Sequence, residues 1–274
     1  MNVELFKNIC KMDENQLLRV MSKYLLQRNY KVISTDKYII GIGREPITLA
    51  AHLDTVGVEI PTKIYFDPVE NIMWSPQLLG ADDRSGVYAI IQIIEKGYKP
   101  HVIFTTGEEQ GCMGAEALVK DYPKSPFPKN KTIIQLDRRG KNDCVFYKFN
   151  NRDFISYIEN FGFKEAYGTF TDITIFGPAW CIPTVNLSTG YENEHTLIET
   201  LNIKWLDETI EKVEKIILKV VEMPYFKYEE FNYQKIRYSN KECLICGNKV
   251  NKKNKRMTPE GYSLCEGCYT MCYG

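Results

Sequence analysis

Five short segments carry residues of the kind that bind metals: Ala-His52-Leu-Asp54-Thr, Gly80-Ala-Asp82-Asp83-Arg84-Ser-Gly86, Thr-Gly107-Glu108-Glu109-Gln-Gly111, Leu-Asp137-Arg138-Arg139 and Glu194-His195-Thr196. The chain has only three histidines, His52, His101 and His195, and two of them fall in these segments. Imidazole and carboxylate are ligands that zinc accepts. A pair of zinc ions needs about five such ligands, one of them a bridging carboxylate, plus a free carboxylate to act as base. The segments supply that set, and the chemistry it serves is hydrolysis by a metal-activated water. Taken singly, each segment has a plainer reading. His-x-Asp is often a satisfied polar pair, Asp-Asp-Arg a helix cap with an ion pair, and Glu-Glu-Gln-Gly a solvated loop. Their occurrence together carries the inference.

The elements that must position them follow from periodicity. Residues 13–28 read as a helix, with Asp13 as cap and Leu17, Met21, Tyr24 and Leu25 at three- and four-residue steps. Residues 31–34, 38–41, 47–53, 101–106, 131–136 and 182–187 read as strands, the later ones apolar enough to be buried on both faces. Residues 86–95 are apolar almost all round and read as a buried helix, a strand being the alternative. Residues 152–161, stopped by Gly162, and 207–221, with acids early and lysines late, read as amphipathic helices. Strands alternating with helices predict an α/β fold with a mixed central sheet flanked by helices. Four of the five segments then fall at or just after the C-terminal ends of strands, where open α/β sheets hold their ligands.

The order and spacing of the segments resemble the co-catalytic zinc aminopeptidase and carboxypeptidase superfamily, which includes leucyl-type zinc aminopeptidases, tetrahedral aminopeptidases and peptidase T. The resemblance covers roughly residues 10–222. Asp82-Asp83-Arg84-Ser-Gly86 is closest to the tetrahedral aminopeptidases, as is the stretch through Thr171-Asp172, Ile182-Pro183-Thr184-Val185, Glu194-His195-Thr196 and Glu199. It implies that His52 and Asp137 bind one metal, Glu109 and His195 the other, and that Asp82 bridges both. Asp54 then orients His52, Glu108 is the general base, and the Asp82–Asp83 peptide bond is cis. The implied cofactors are two divalent metals, zinc with cobalt or manganese as alternatives. Asp172 either supports this set or caps a loop, and His101 is read as structural. Arg138, Arg139 and Tyr191 are candidate substrate contacts, the arginines because guanidinium forks match carboxylates, with salt bridges away from substrate as the alternative. Only 27 residues separate Asp54 from Asp82 and 57 separate Asp137 from His195. The first gap is too short for the lid or dimerisation domain that many relatives insert. This favours an aminopeptidase acting on peptides. An amidase, deacylase or carboxypeptidase-type hydrolase on the same site is the alternative, and an inactive scaffold the alternative of another class.

The expected domains are residues 1–223 for catalysis, 224–240 as a linker or strap, and 241–274 as a four-cysteine zinc module resembling a zinc ribbon. Cys243-x-x-Cys246 and Cys265-x-x-Cys268 stand 18 residues apart, a spacing suited to a structural zinc. So short a module needs the metal to fold, and Cys272 is near enough to compete as a ligand. Residues 241–274 hold six basic and three acidic residues. Four thiolates on zinc offset most of that excess, so nucleic acid is not the expected partner. A structural role, or docking to another protein or a second copy, is expected instead. The whole chain balances 35 Lys and Arg against 35 Asp and Glu. It has no apolar run long enough to span a membrane. Nine cysteines without a secretory signal point to the cytoplasm.

Overall fold

The computed structural model describes residues 2–57, 59–230, 243, 248–251, 253–258 and 263–273. Two compact units are present, Met1–Glu230 and Phe231–Gly274.

The larger unit opens with helices α1 (Val3–Cys10) and α2 (Glu14–Gln27), then strands β1 (Lys31–Ser34), β2 (Tyr38–Ile42) and β3 (Glu45–His52). A short hairpin, β4 (Tyr65–Asp67) and β5 (Ile72–Trp74), precedes α3 (Ala81–Glu95), β6 (Pro100–Thr105), α4 (Met113–Asp121), β7 (Ile133–Arg138) and β8 (Asp143–Val145). The unit continues through α5 (Arg152–Glu159), β9 (Lys164–Glu165), α6 (Ile173–Trp180), β10 (Thr184–Ser188), β11 (Tyr191–Glu192), β12 (Thr200–Asn202) and α7 (Ile203–Lys219).

Eight strands form one mixed sheet in the order β1-β2-β6-β3-β7-β10-β8-β9. Its centre, β6-β3-β7-β10, is parallel. Alternate residues of these strands face opposite layers. Leu49, Val102, Phe104 and Ile134 join the core under α1, α2, α3 and α7, while Ala50, Ile103 and Ile133 join the one under α4 and α6. Both faces are thus covered, which is why these strands carry apolar residues on both faces. A second sheet, β11-β12-β5-β4, stands apart from the first.

Capping explains where the helices begin. Asp13 and Gln16 form a reciprocal capping box at α2. Asn202 accepts the Trp205 N–H at α7, so that helix starts before the expected Asp207. Helix α3 is the buried helix expected at 86–95, but its first turn is irregular. Asp82 and Asp83 have non-helical backbone angles, and the bond between them is cis. At Gly86 a Cβ would lie 2.1 Å from the Leu136 carbonyl oxygen. Glycine therefore lets α3 lie directly on β7 and brings Asp82 beside Asp137.

Residues 224–230, expected as linker or strap, lie on this unit's core: Phe226 packs on Phe154 and Tyr157, and Glu230 bridges to Phe149. In the smaller unit, β13 (Lys255–Met257) pairs with β14 (Ser263–Cys265), followed by α8 (Glu266–Tyr273). Among the described residues no helix is long and apolar enough to cross a membrane.

Candidate active site

Strand ends and the turns after them carry the acids and histidines together. His52 ends β3, Glu108 and Glu109 lie in the turn after β6, Asp137 lies near the end of β7, and His195 sits in the loop between β11 and β12. Asp82 comes from the first turn of α3.

Asp82 faces two ways. Its Oδ1 lies 3.1 Å from His52 Nε2, and its Oδ2 lies 3.2 Å from His195 Nε2. His52 Nε2 is also 3.5 Å from Asp137 Oδ1, and His195 Nε2 is 2.7 Å from Glu109 Oε1. One carboxylate thus joins two histidine–carboxylate pairs, the arrangement a two-metal centre requires. Asp83 also approaches His52 and Asp137. Its two oxygens, however, accept the backbone N–H groups of Gly86 and His52, at 2.9 and 3.1 Å.

Other residues fix each member of the set. Asp137 receives hydrogen bonds from Gln135 Nε2 (2.9 Å), the Thr171 hydroxyl (2.8 Å) and the Tyr191 hydroxyl (3.3 Å). Asp54 lies 3.3 Å from His52 Nδ1, out of line for a good hydrogen bond. Its firmer contacts are the backbone N–H groups of Glu108 and Glu109, at 3.1 and 3.0 Å. Glu14 accepts the Gly107 N–H at 3.1 Å in the same turn. Glu199, 2% exposed, accepts the N–H groups of Gly80 at 2.7 Å and Asp82 at 3.1 Å. Buried Arg84 donates to the carbonyls of Leu53 and Met12 rather than forming an ion pair. Asp172 makes no capping bond. It accepts from the Thr105 hydroxyl, and its Oδ1 is buried without a partner.

The charges are strongly coupled. Burial would raise Asp54, but His52 and the two backbone N–H groups hold it at about 2. Burial and the charge of Asp82 push Asp137 up to about 7. Burial and the surrounding carboxylates push Glu108 to about 9. Hydrogen bonding to Asp82 leads the rise of His195 to about 9. Acids crowded this closely cannot all ionise without positive charge among them. The donor set and the division of Asp82 between two pairs therefore fit a pair of divalent cations.

The site opens on a cleft of about 330 Å³, lined also by Arg138, Arg139, Tyr147, Phe170, Tyr191 and Glu194. Arg139 pairs with Glu194 at 2.7 Å, and Arg138 donates to the Tyr167 carbonyl at 3.2 Å. His101 lies away from the cleft. Its Nδ1 accepts the Gly43 N–H at 3.0 Å, and its Nε2 faces the Pro128 carbonyl at 3.2 Å. In the smaller unit, Cys243, Cys265 and Cys268 bring their sulfurs within 4.8 Å of one another. Cys246, Lys252 and the side chain of Cys272 lie outside the described residues.

Glu14, Glu199, Gln135, Tyr147 and Asn186 had no signal in spacing, because each acts through contacts distant in the chain. For Glu199, its place four residues after His195 in the resembling stretch was the one available hint.

Residues 38–171 match the family described as Peptidase family M28, a family that implies a divalent metal. No curated protein matches the sequence. Among solved structures, the aminopeptidase PepT of Bacillus cereus aligns with a TM-score of 0.68 at 18% identity, over 80% of this chain and 98% of that one. A tripeptidase of Staphylococcus aureus aligns at 0.66 and 16% identity, over 81% and 98%. The TET1 peptidase of Pyrococcus horikoshii, which can assemble into a tetrahedron or a large octahedral shell, aligns at 0.59 and 16% identity, over 78% and 98%. The fold is therefore that of these peptidases. Residues 38–171 thus match peptidase family M28 within a fold shared with these peptidases, and the two findings together support a metal-dependent exopeptidase.

Proposed function

We propose that this enzyme is an aminopeptidase that removes residues from the free amino end of peptides. The observation that carries the reading is Asp82, whose two oxygens face two histidine–carboxylate pairs, with Glu108 beside them uncommitted to either. His52 and Asp137 would hold one divalent metal, Glu109 and His195 the other, and Asp82 both, with zinc the metal that the ligand types favour. When bound, the metals supply polarisation of the scissile carbonyl and a lowered pKa for the attacking water. Glu108 takes the proton of that water and returns it to the leaving amine nitrogen. Asp54 keeps Glu108 and Glu109 on their separate tasks by holding both backbone N–H groups.

The aminopeptidase and tripeptidase names of the neighbours support the amino-end reading. Arg138, Arg139 and Tyr191 line the cleft in which the peptide lies, and Tyr191 also holds Asp137. In the smaller unit Cys243, Cys246, Cys265 and Cys268 would hold a structural zinc, the module serving to dock another protein or a second copy. The buried thiols Cys10, Cys112 and Cys144 suit a reducing compartment such as the cytoplasm.

The test is elemental mass spectrometry on protein purified without chelator, beside Asp82→Ala and Glu108→Gln. Wild type should carry about three divalent metals, two in the cleft and one in the module, and Asp82→Ala about one. Glu108→Gln should keep wild-type metal and lose aminoacyl-p-nitroanilide turnover by about 100-fold or more. Wild type holding about one metal that Asp82→Ala leaves untouched would sink the reading.

A further inference from the structure

We infer that the phenolic hydroxyl of Tyr147 is a catalytic donor, stabilising the negative charge that develops on the scissile carbonyl oxygen. The inference deepens the aminopeptidase reading and rests on it. Tyr147 follows β8 and lines the same cleft as Asp82, Glu108, Asp137 and His195. Its backbone has a φ of +55°, which non-glycine residues seldom adopt. The ring needs room that Gly168 provides. A Cβ on Gly168 would lie 3.0 Å from Tyr147 Cε1 and 2.8 Å from Val145 Cγ1.

The hydrogen bonds settle the direction of the hydroxyl. Tyr147 Oη accepts from Asn186 Nδ2 at 3.0 Å. Asn186 is itself oriented by Asp137: its Nδ2 donates to the Asp137 carbonyl at 2.9 Å, and its Oδ1 accepts the Asp137 N–H at 3.0 Å. An amide nitrogen offers no lone pair, so the phenol cannot return a hydrogen bond to it. Among the described residues no acceptor takes the phenolic proton, and the group lines the cleft. Burial, reinforced by the charge of Asp137, pushes the phenol well above its ordinary pKa. It therefore remains a donor wherever the enzyme works.

The step balances with the groups on hand. As water adds to the carbonyl carbon, Glu108 takes its proton and the C=O π pair moves onto oxygen. The Tyr147 O–H bond stays intact, and its hydrogen bond to that oxygen strengthens. On collapse the pair returns to re-form C=O, the C–N bond breaks, and Glu108 passes its proton to the amine nitrogen. A donor aimed at the developing charge acts on the transition state more than on the bound substrate.

The experiment compares Tyr147→Phe with the wild-type holoenzyme in three measurements. These are steady-state kinetics on aminoacyl-p-nitroanilides, metal content, and calorimetric binding of an α-aminophosphonic acid against the matching free amino acid. The phosphonic acid mimics the tetrahedral state and the amino acid does not. Expected is a fall in kcat of about 100- to 1,000-fold with KM nearly unchanged and metal content intact. Phosphonic acid binding should weaken while amino acid binding holds. The proposal is overturned if kcat stays within about threefold of wild type, or if Tyr147→Phe loses metal, which would make Tyr147 only a support for Asn186 and Asp137. Wild type that turns over no aminoacyl substrate, yet binds the phosphonic acid more tightly than Tyr147→Phe does, supports the Tyr147 role and defeats the aminopeptidase reading instead. Equal phosphonic acid binding by both proteins overturns the Tyr147 role.

Discussion

Glu199→Ala tests whether the position of Asp82 is imposed by the fold. The Glu199 carboxylate is buried and accepts the N–H groups of Gly80 and Asp82. Truncation leaves both donors buried without that acceptor. Each orphaned group costs about 1–3 kcal/mol, so the pair costs about 2–6 kcal/mol. With an m-value of about 2 kcal/mol/M in urea, the unfolding midpoint should fall by about 1–3 M. The three tryptophans, Trp74, Trp180 and Trp205, all lie in the larger unit. Their fluorescence therefore follows that unit and not the smaller one. Glu199→Gln keeps one acceptor oxygen but turns an NH₂ towards a backbone N–H, so it should recover about half the loss. Because Asp82 is then less firmly aimed, metal affinity in the cleft should also fall, by about 10- to 100-fold. A Glu199→Ala midpoint within about 0.2 M of wild type would refute the reasoning, since the two N–H groups would then have another acceptor.

Two further outcomes follow from close packing and from burial. Gly86→Ala places a Cβ 2.1 Å from the Leu136 carbonyl and 2.5 Å from Asp83 Oδ1, neither of which can rotate away cheaply. Thermal unfolding should report a loss of about 3 kcal/mol or more, and a variant as stable as wild type would mean that α3 does not rest on β7 as described. Burial lowers the His101 pKa below its ordinary 6.5, and the Gly43 N–H bonded to Nδ1 requires the neutral ring. Unfolding therefore takes up a proton, and the contribution of His101 is complete above about pH 6.5 and lost as pH falls below it, by at most about 1.4 kcal/mol per unit. Urea midpoints of wild type and His101→Gln, measured from about pH 7.5 to 5, should converge towards the acid end. A constant gap would exclude the linkage.

What could be read beforehand depended on periodicity and on rare residue types. Helix α2 declared itself by its cap and its apolar steps, and β1 by its length and composition. Helix α6 did not, because Gly177 and Pro178 interrupt its pattern and its helical character is set by packing of Phe176 and Trp180. The second sheet was invisible, since strands of two or three residues such as β11 and β5 are too short to show a period of two. The metal-type residues stood out because histidine is scarce here and the acids fall in glycine-bounded turns. Their supports did not stand out. Gln135, Asn186 and Glu199 are ordinary polar residues whose meaning arises only when the strands are laid side by side.

Those supports also explain how the larger unit can keep a site so rich in like charge. Asp82, Asp137, Glu108 and Glu109 repel one another, and burial adds to the cost of ionising them. Left to relax, such side chains would turn outward to water. Here they cannot, because their backbones are tied from behind. Glu199 holds the turn of Asp82, Asp54 and Glu14 hold the turn of Glu108 and Glu109, and Asn186 clasps Asp137 from both sides of its peptide. Asp54 can do so because it is kept ionised by His52 and the N–H groups it binds, whereas Asp137 and Glu108 are held where protons compete for them. The fold thus bears the repulsion in advance, and a pair of divalent cations held there would relieve it. The free energy of metal binding would then include relief of strain that the protein's own hydrogen bonds have imposed.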